Sequence, residues 1–233
     1  MTRRRWIADE VSGNRAALVG AHAEHLSRVL RARVGEEFDV VCDGVLRHGR
    51  VASLTGDRVE FELGEEIVTT LTTHVTLLIS IFKFDRMEWA IEKCTELGAA
   101  RMVPVIARRT EAHLAAASAK RVERWQRIAR EASEQSRRLT SPQIDSPMKL
   151  KDAVALPGSV RIVLAESEEK QSLRHALPPH STGILLAFGP EGGWTEAELE
   201  AFCAAGWTSA SLGHTILRAE TAAIAALAIV ASL

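Results

Sequence analysis

Ile184-Leu185-Leu186-Ala187-Phe188-Gly189-Pro190-Glu191-Gly192-Gly193-Trp194-Thr195-Glu196-Ala197-Glu198 is the stretch that decides the fold. Five consecutive apolar residues predict a strand covered on both faces, as in a parallel sheet. The strand runs into a loop with three glycines and a proline within five residues. Thr195 and Glu198 then form a T-x-x-E capping box that starts a helix. Strand, glycine loop and helix in succession define a unit of an open parallel α/β sheet, in which ligands sit at the C-terminal edge of the strands. Glycines there let a ligand approach the backbone, although a tight turn without a ligand would show the same local pattern. No lysine follows in the manner of G-x-x-x-x-G-K-[ST], and the glycines do not match G-x-G-x-x-G. A neutral or cationic ligand read by backbone groups therefore fits better than a polyphosphate.

Two further stretches extend this reading. Ser211-Leu212-Gly213-His214-Thr215-Ile216-Leu217-Arg218-Ala219-Glu220-Thr221-Ala222 again passes from a strand through a glycine into a helix. Arg218 and Glu220 flank an otherwise apolar helix, which makes them functional or paired with one another, since an unpaired buried charge is costly. His214 reads as a turn histidine. Glu131 to Pro142, with Gln135-Ser136-Arg137-Arg138, ends an arginine-rich helix in a polar turn. Its alternative reading is a basic helix end complementing the dipole.

Working outward, strands are expected at Val75–Phe82, Met102–Ile106, Val160–Ala165, Ile184–Phe188 and Ser209–Leu212, with helices between them. One helix carries the stripe Met87, Ile91, Cys94 and Leu97 and closes at Gly98. Another carries Val122, Trp125, Ile128 and Ala132. Ala219–Leu233 is apolar nearly all round, which predicts a helix central in the fold or buried against a second copy of the chain. Residues 1–70 read instead as a small β-rich unit. Strands at Glu37–Cys42, Leu46–Leu54 and Arg58–Leu63 are separated by turns at Asp43-Gly44 and Thr55-Gly56-Asp57, and one helix lies near His22–Arg31. Thr69-Thr70-Leu71-Thr72-Thr73 is the expected joint, with a second unit from 74 to 233.

The chain has 233 residues, 46% apolar and 25% charged, which excludes disordered and fibrous classes. Three widely spaced cysteines, Cys42, Cys94 and Cys203, exclude a zinc ribbon or a disulfide framework and suit a reducing compartment. Thr2-Arg3-Arg4-Arg5 precedes no signal-peptide core, and the longest apolar run, Ala222–Leu233, is 12 residues against the ~20 of a membrane span. The expectation is a cytoplasmic protein that does not enter the membrane. Net charge is −1 but segregated. Residues 3–33 hold seven arginines against three acids, 36–66 three arginines against nine acids, and 101–138 ten Lys/Arg against four glutamates. Two basic zones suit a phosphate backbone, or else they are solvated helix faces. Nine of the ten cations in the later zone are arginine, and Trp6 beside Arg3, Arg4 and Arg5 could stack on a base.

Taken together, Phe188-Gly189-Pro190-Glu191-Gly192-Gly193, Leu212-Gly213 with Ile216-Leu217-Arg218-Ala219-Glu220-Thr221-Ala222, and Glu92-Lys93-Cys94-Thr95-Glu96-Leu97-Gly98 resemble the methyltransferases that modify N3 of a uridine in small-subunit (16S) ribosomal RNA. These belong to the SPOUT superfamily. Gln135-Ser136-Arg137-Arg138 matches the family's polar arginine turn. His25-Leu26, Arg28-Val29-Leu30-Arg31 and Val34-Gly35 match its N-terminal unit. Resemblance covers nearly the whole chain. Two positions depart from the pattern: Phe84 follows Lys83 where a small residue is usual, and Cys42 replaces an aromatic or aliphatic residue.

The resemblance implies a trefoil-knotted α/β domain with an open parallel sheet, preceded by a small PUA-like β-barrel. It implies S-adenosylmethionine, without a metal, in a cleft lined by Ala165, Phe188, Gly189, Pro190, Glu191, Gly192, Gly193, Leu212, Gly213, Ile216, Leu217, Thr221 and Ala222. S-adenosylhomocysteine would be the product. A homodimer is implied, with 16S rRNA of the small ribosomal subunit as partner. Arg3, Arg4, Arg5, Trp6, Arg28, Arg31, Gln135, Arg137 and Arg138 are the expected RNA contacts. Transfer to uracil N3 requires loss of its proton, and a guanidinium can stabilise charge on the flanking carbonyls. Arg138 is the first choice for this, then Arg218, with Glu220 orienting an arginine or, as the second choice, acting as the base. The competing readings are another SPOUT enzyme acting on ribose 2′-O or a tRNA base, a non-catalytic RNA-binding protein with a vestigial cleft, and a nucleotide-binding enzyme with an ordinary doubly wound sheet.

Overall fold

The computed structural model describes residues 5–67, 74–136 and 138–232, so Arg3, Arg4, Arg137 and the expected joint at Thr69–Thr73 lie outside the described residues. These divide into two compact units, 5–67 with 138–140, and 74–136 with 141–232.

The first unit is a six-stranded sheet. Its strands are β1 (Arg5–Ile7), β2 (Glu10–Ser12), β3 (Arg15–Val19), β4 (Glu37–Cys42), β5 (Val45–Thr55) and β6 (Arg58–Glu66), in the order β1-β4-β5-β6-β3-β2. Only β1 and β4 run parallel. Asp43 and Gly44, both with positive φ, make the two-residue β4–β5 hairpin turn. Phe38, Val40, Val51, Val59, Phe61 and Leu63 project to one side and form its core, with Leu18 and Leu26. Gly49 belongs to that packing: a Cβ there would stand 2.4 Å from Val40 Cγ2. Helix α1 (Ala21–Glu24) continues into a π-helical turn, His25–Val29, and ends at Arg31 with φ 54°.

Sequence periodicity did not reveal β1–β3, which are only three to five residues long. The inclusion of 138–140 in this unit was also not foreseen. Thr140 Cγ2 lies 3.8 Å from where a Cβ on Gly44 would stand.

In the second unit the chain alternates strand and helix. It runs β7 (Val75–Ser80), α2 (Phe84–Glu96), β8 (Arg101–Ile106), α3 (Ala112–Ser118), α4 (Val122–Gln135), β9 (Gln143–Ile144), β10 (Met148–Lys149) and α5 (Leu150–Val154). It continues with β11 (Val160–Leu164), α6 (Leu173–Ala176), β12 (Ile184–Phe188), α7 (Glu196–Ala204), β13 (Thr208–Ala210) and α8 (Ala219–Ala231). All pairings are parallel, in the order β10-β8-β7-β12-β11-β13, with β9 also on β8. β7 and β12 are buried at every residue, as two-sided cover requires.

The period of two divides the core. Val75, Leu77, Ile79, Leu186 and Phe188 face one layer with Met87, Ile91, Trp125 and Leu227 from α2, α4 and α8. Leu78, Val103, Val163, Leu185 and Ala187 face the other, with Ala153 and Phe202 from α5 and α7. Phe84 occupies the first position of α2. Its ring meets Trp125 edge-on at 6.1 Å and carries the Arg121 guanidinium 4.6 Å from its centroid, so the bulky residue after Lys83 has a packed place. Among the described residues no helix is long and apolar enough to cross a membrane.

Candidate functional site

In a parallel sheet every strand delivers its C-terminal end to the same edge. The segments leaving β7, β8, β11, β12 and β13 meet there around a cavity of about 590 Å³, within the usual size range for small-molecule sites. The glycine loop after β12 and the 211–218 loop after β13 form much of its wall, with Ala165 between them in the lining. Of the residues predicted to hold a cofactor, the structure brings Ala165, Phe188, Gly189, Pro190, Glu191, Gly192, Gly193, Leu212, Gly213, Ile216, Leu217 and Ala222 to this cavity. Thr221 is exposed on α8 and is not among the lining residues.

The loop geometry explains its composition. A Cβ on Gly189 would lie 3.3 Å from Trp194 N and 3.4 Å from the Gly193 backbone. The chain folds back on itself too closely there for a side chain. Gly193 has φ +69° and Gly213 φ +125°, conformations that side chains strain. Gly193 N–H donates to Pro190 O at 2.8 Å and closes the turn. The Trp194 indole N–H donates to Leu164 O at 3.1 Å, pinning the loop to the end of β11. Behind it Trp194, Phe202 and Trp207 stack edge-to-face at 5.0 Å intervals. The predicted capping box is formed at α7: Thr195 N–H donates to Glu198 Oε2 at 2.8 Å and Glu198 N–H to Thr195 Oγ1 at 3.4 Å.

Charge in and around the cavity is arranged differently from the Arg218–Glu220 pairing weighed from the sequence. Glu220 is buried, and its ion partner is Arg86 of α2, with Nη1 3.5 Å from Glu220 Oε1. The same Nη1 lies 3.5 Å from Glu191 Oε1 in the glycine loop. Arg86 thus ties α2, the glycine loop and the start of α8 together. Glu220 Oε2 is buried with no hydrogen-bond partner among the described residues. Arg218 lines the cavity from the N-cap of α8 and is exposed.

Arg86, Arg109 and Lys83 also line the cavity and were not singled out as site residues from the sequence. Their signal was their position just past the ends of β7 and β8, the same sheet edge as the glycine loop.

The other predicted residues are not among those that line the cavity. Arg138 is half-buried in the segment grouped with the first unit, and burial draws its guanidinium below the ordinary arginine value. Gln135 is exposed at the end of α4. Within the first unit Arg28 is exposed and pairs with Glu24 at 3.8 Å, Arg31 is exposed, and Arg5 is half-buried on β1. Trp6 packs against the core, with its ring 5.8 Å from His25. No group of three or more His, Cys, Asp or Glu among the described residues could hold a metal ion.

The fold and this edge are those of an RNA methyltransferase domain, whose family model matches residues 69–231. The ribosomal RNA small subunit methyltransferase E of Synechocystis sp. is 35% identical over 225 residues, taking in 91% of this chain and 71% of that one. Its counterpart in Bacillus subtilis is 32% identical over 225 residues, 91% and 87% of the two chains. A crystal structure of a ribosomal RNA small subunit methyltransferase E from Neisseria gonorrhoeae, bound to S-adenosyl methionine, superposes with a TM-score of 0.73 at 32% identity, covering 97% of this chain and 95% of that one. The chain belongs to the ribosomal RNA small subunit methyltransferase E family.

Proposed function

We propose that this protein methylates N3 of a specific uridine in 16S rRNA of the small ribosomal subunit, with S-adenosylmethionine as donor. The observation that carries the reading is the convergence of the glycine loop, the 211–218 loop and Ala165 on one cavity of about 590 Å³. The residues present suit that donor. Backbone amides and apolar side chains offer surface for an adenosine, the open faces of Gly193 and Gly213 admit close approach, and Glu166 and Glu191 supply negative charge for a cationic ligand. When bound, S-adenosylmethionine supplies an electrophilic methyl carbon and departs as S-adenosylhomocysteine.

The chain's own task is to hold the uracil in line and to favour the state in which its N3 proton has left. We assign stabilisation of the charge growing on the flanking carbonyls first to Arg138 and second to Arg218. Burial strengthens the field of the first, and the second lines the cavity. Glu220, paired with Arg86, positions that arginine rather than acting on substrate.

The same reading includes units at 1–70 and 74–233, a PUA-like barrel for the first and a threaded chain in the second. The six-stranded sheet supports the former. For the latter, α8 returns from the edge strand β13 to pack on α2, β7 and β12 in the middle of the sheet. It also includes a homodimer, supported by the partly exposed apolar side of α8 at Ile224, Ala225, Ala228 and Ile229. Arg3, Arg4, Arg5, Trp6, Arg28, Arg31, Gln135 and Arg137 are proposed RNA contacts. A ribosomal substrate places the protein in the cytoplasm.

The test is mass mapping of nucleosides after incubating purified small subunits from cells lacking the enzyme with protein and labelled donor. Label in 3-methyluridine at one position is expected. Label in a ribose or in tRNA would overturn the substrate assignment, and no label with tight donor binding would support only an RNA-binding role.

A further inference from the structure

We propose that Arg109 and Glu198 form a two-part strut that holds the glycine loop in its ligand-binding shape from the neighbouring segment after β8. The inference rests on the cavity being the donor site. The segment after β8 is itself a closed turn: Ala107 N–H donates to Thr110 Oγ1 and Thr110 N–H to Ala107 O, both at 3.1 Å. From this turn two contacts reach across to the β12–α7 connection. Arg109 Nη1 donates to the carbonyls of Gly192 at 2.5 Å and Trp194 at 3.3 Å. Arg108 N–H donates to Glu198 Oε1 at 2.7 Å.

Glu198 is more than a helix cap. Its side chain is buried and both oxygens are engaged: Oε1 takes the Arg108 amide, and Oε2 takes Thr195 N–H at 2.8 Å and Thr195 Oγ1–H at 2.9 Å. A carboxylate is the one side chain of that size able to accept on both sides at once. The helix N-terminus favours its charge. Arg109 meanwhile satisfies both carbonyls from one nitrogen, Nη1, whose two N–H groups stand at the end of a long stem. Its Cδ also fills the space against Gly192, 3.3 Å from where a Cβ would stand. The loop is therefore held at its tip by Arg109 and at its base by Glu198, with Trp194 pinned to β11 between them. These are positioning residues: neither is asked to touch the reacting atoms.

The experiment compares R109A, R109K, E198Q and T195A by S-adenosylmethionine calorimetry, by amide hydrogen exchange of residues 189–194, and by turnover at saturating donor. Arg109→Ala removes the tip contacts. Glu198→Gln turns one acceptor into a donor facing an N–H. Both should weaken donor binding about tenfold or more, the loss of one to two charge-assisted hydrogen bonds, and both should speed exchange in the loop. Turnover at saturation should fall less than affinity. Arg109→Lys should recover only part of the affinity, because its ammonium ends one bond short of the position Nη1 takes. Thr195→Ala weakens the cap but leaves the Arg108–Glu198 link, so it should lower the melting temperature with donor affinity unchanged within about twofold. Wild-type affinity and exchange in R109A, with the wild-type protein binding normally, would overturn the strut. Failure of the wild-type protein to bind the donor would instead overturn the site assignment. Far-UV circular dichroism shows whether E198Q folds, and R109K, which keeps the charge, serves if it does not.

Discussion

Gly189→Ala is the sharpest probe of the cleft. Its new methyl would stand 3.3 Å from Trp194 N and 3.4 Å from the Gly193 Cα and carbonyl carbon, and all three are backbone atoms. Ordinary carbon contacts begin near 3.5 Å, and no side chain can swing aside to absorb the difference. Overpacking of this kind costs about 1–3 kcal/mol. The free protein can relax by opening the loop, so the cost falls mainly on the bound state, where the loop must close again. The expected result is donor affinity reduced roughly 5- to 150-fold by calorimetry, with a melting temperature lowered by only a few degrees. Gly192→Ala is the contrasting case. Its methyl meets Arg109 Cδ at 3.3 Å, so its loss runs through the Arg109 contact rather than through backbone crowding and should not exceed that of R109A. Affinity unchanged in G189A would refute the claim that backbone crowding at Gly189 shapes the cleft.

Three further outcomes are expected. Arg86→Ala strands the buried Glu220 carboxylate and should destabilise the fold by on the order of 2 kcal/mol, discounted because Arg86 is partly exposed. Adding Glu220→Gln should restore part of that in urea melts, and no recovery would reject the ion pair. Arg138→Ala should cut methyl transfer far more than donor binding; equal losses would reject its role at the uridine. Burial pushes the Cys94 thiol from 9.0 up to about 12. Folding then favours the neutral thiol, and the stability this contributes is complete below pH 9 and is lost as pH rises toward 12. Cys94→Ala should flatten the fall in melting temperature over that window, and native alkylation at pH 8 should label exposed Cys203 and spare Cys94.

Much of the second unit was legible because its signals are local. Nearly continuous apolar runs marked β7, β11 and β12, and T-x-x-E marked the start of α7. What escaped the sequence depends on long-range proximity. Arg86 and Glu220 are 134 positions apart and Arg109 and Gly192 are 83 apart, and no spacing rule connects them. Glu220 was therefore weighed with Arg218, two positions before it, although residues two apart on a helix do not face each other. Short strands such as β9 and β10 carry two residues each, too few for a period to show. The grouping of 138–140 with the first unit is likewise a tertiary event, invisible in a segment that reads locally as a helix end.

The placement of β12 between β7 and β11 has a consequence for synthesis of the chain. The strand that completes the centre of the sheet emerges more than a hundred residues after the one it must pair with, Ile184 against Val75. At about 5–20 residues per second, the apolar edge of β7 waits on the order of 5–20 s for its partner. During that interval the growing polypeptide presents an open, sticky strand edge, a natural target for chaperones. Slowing translation downstream of β8 should therefore lower soluble yield more than slowing it within the first unit.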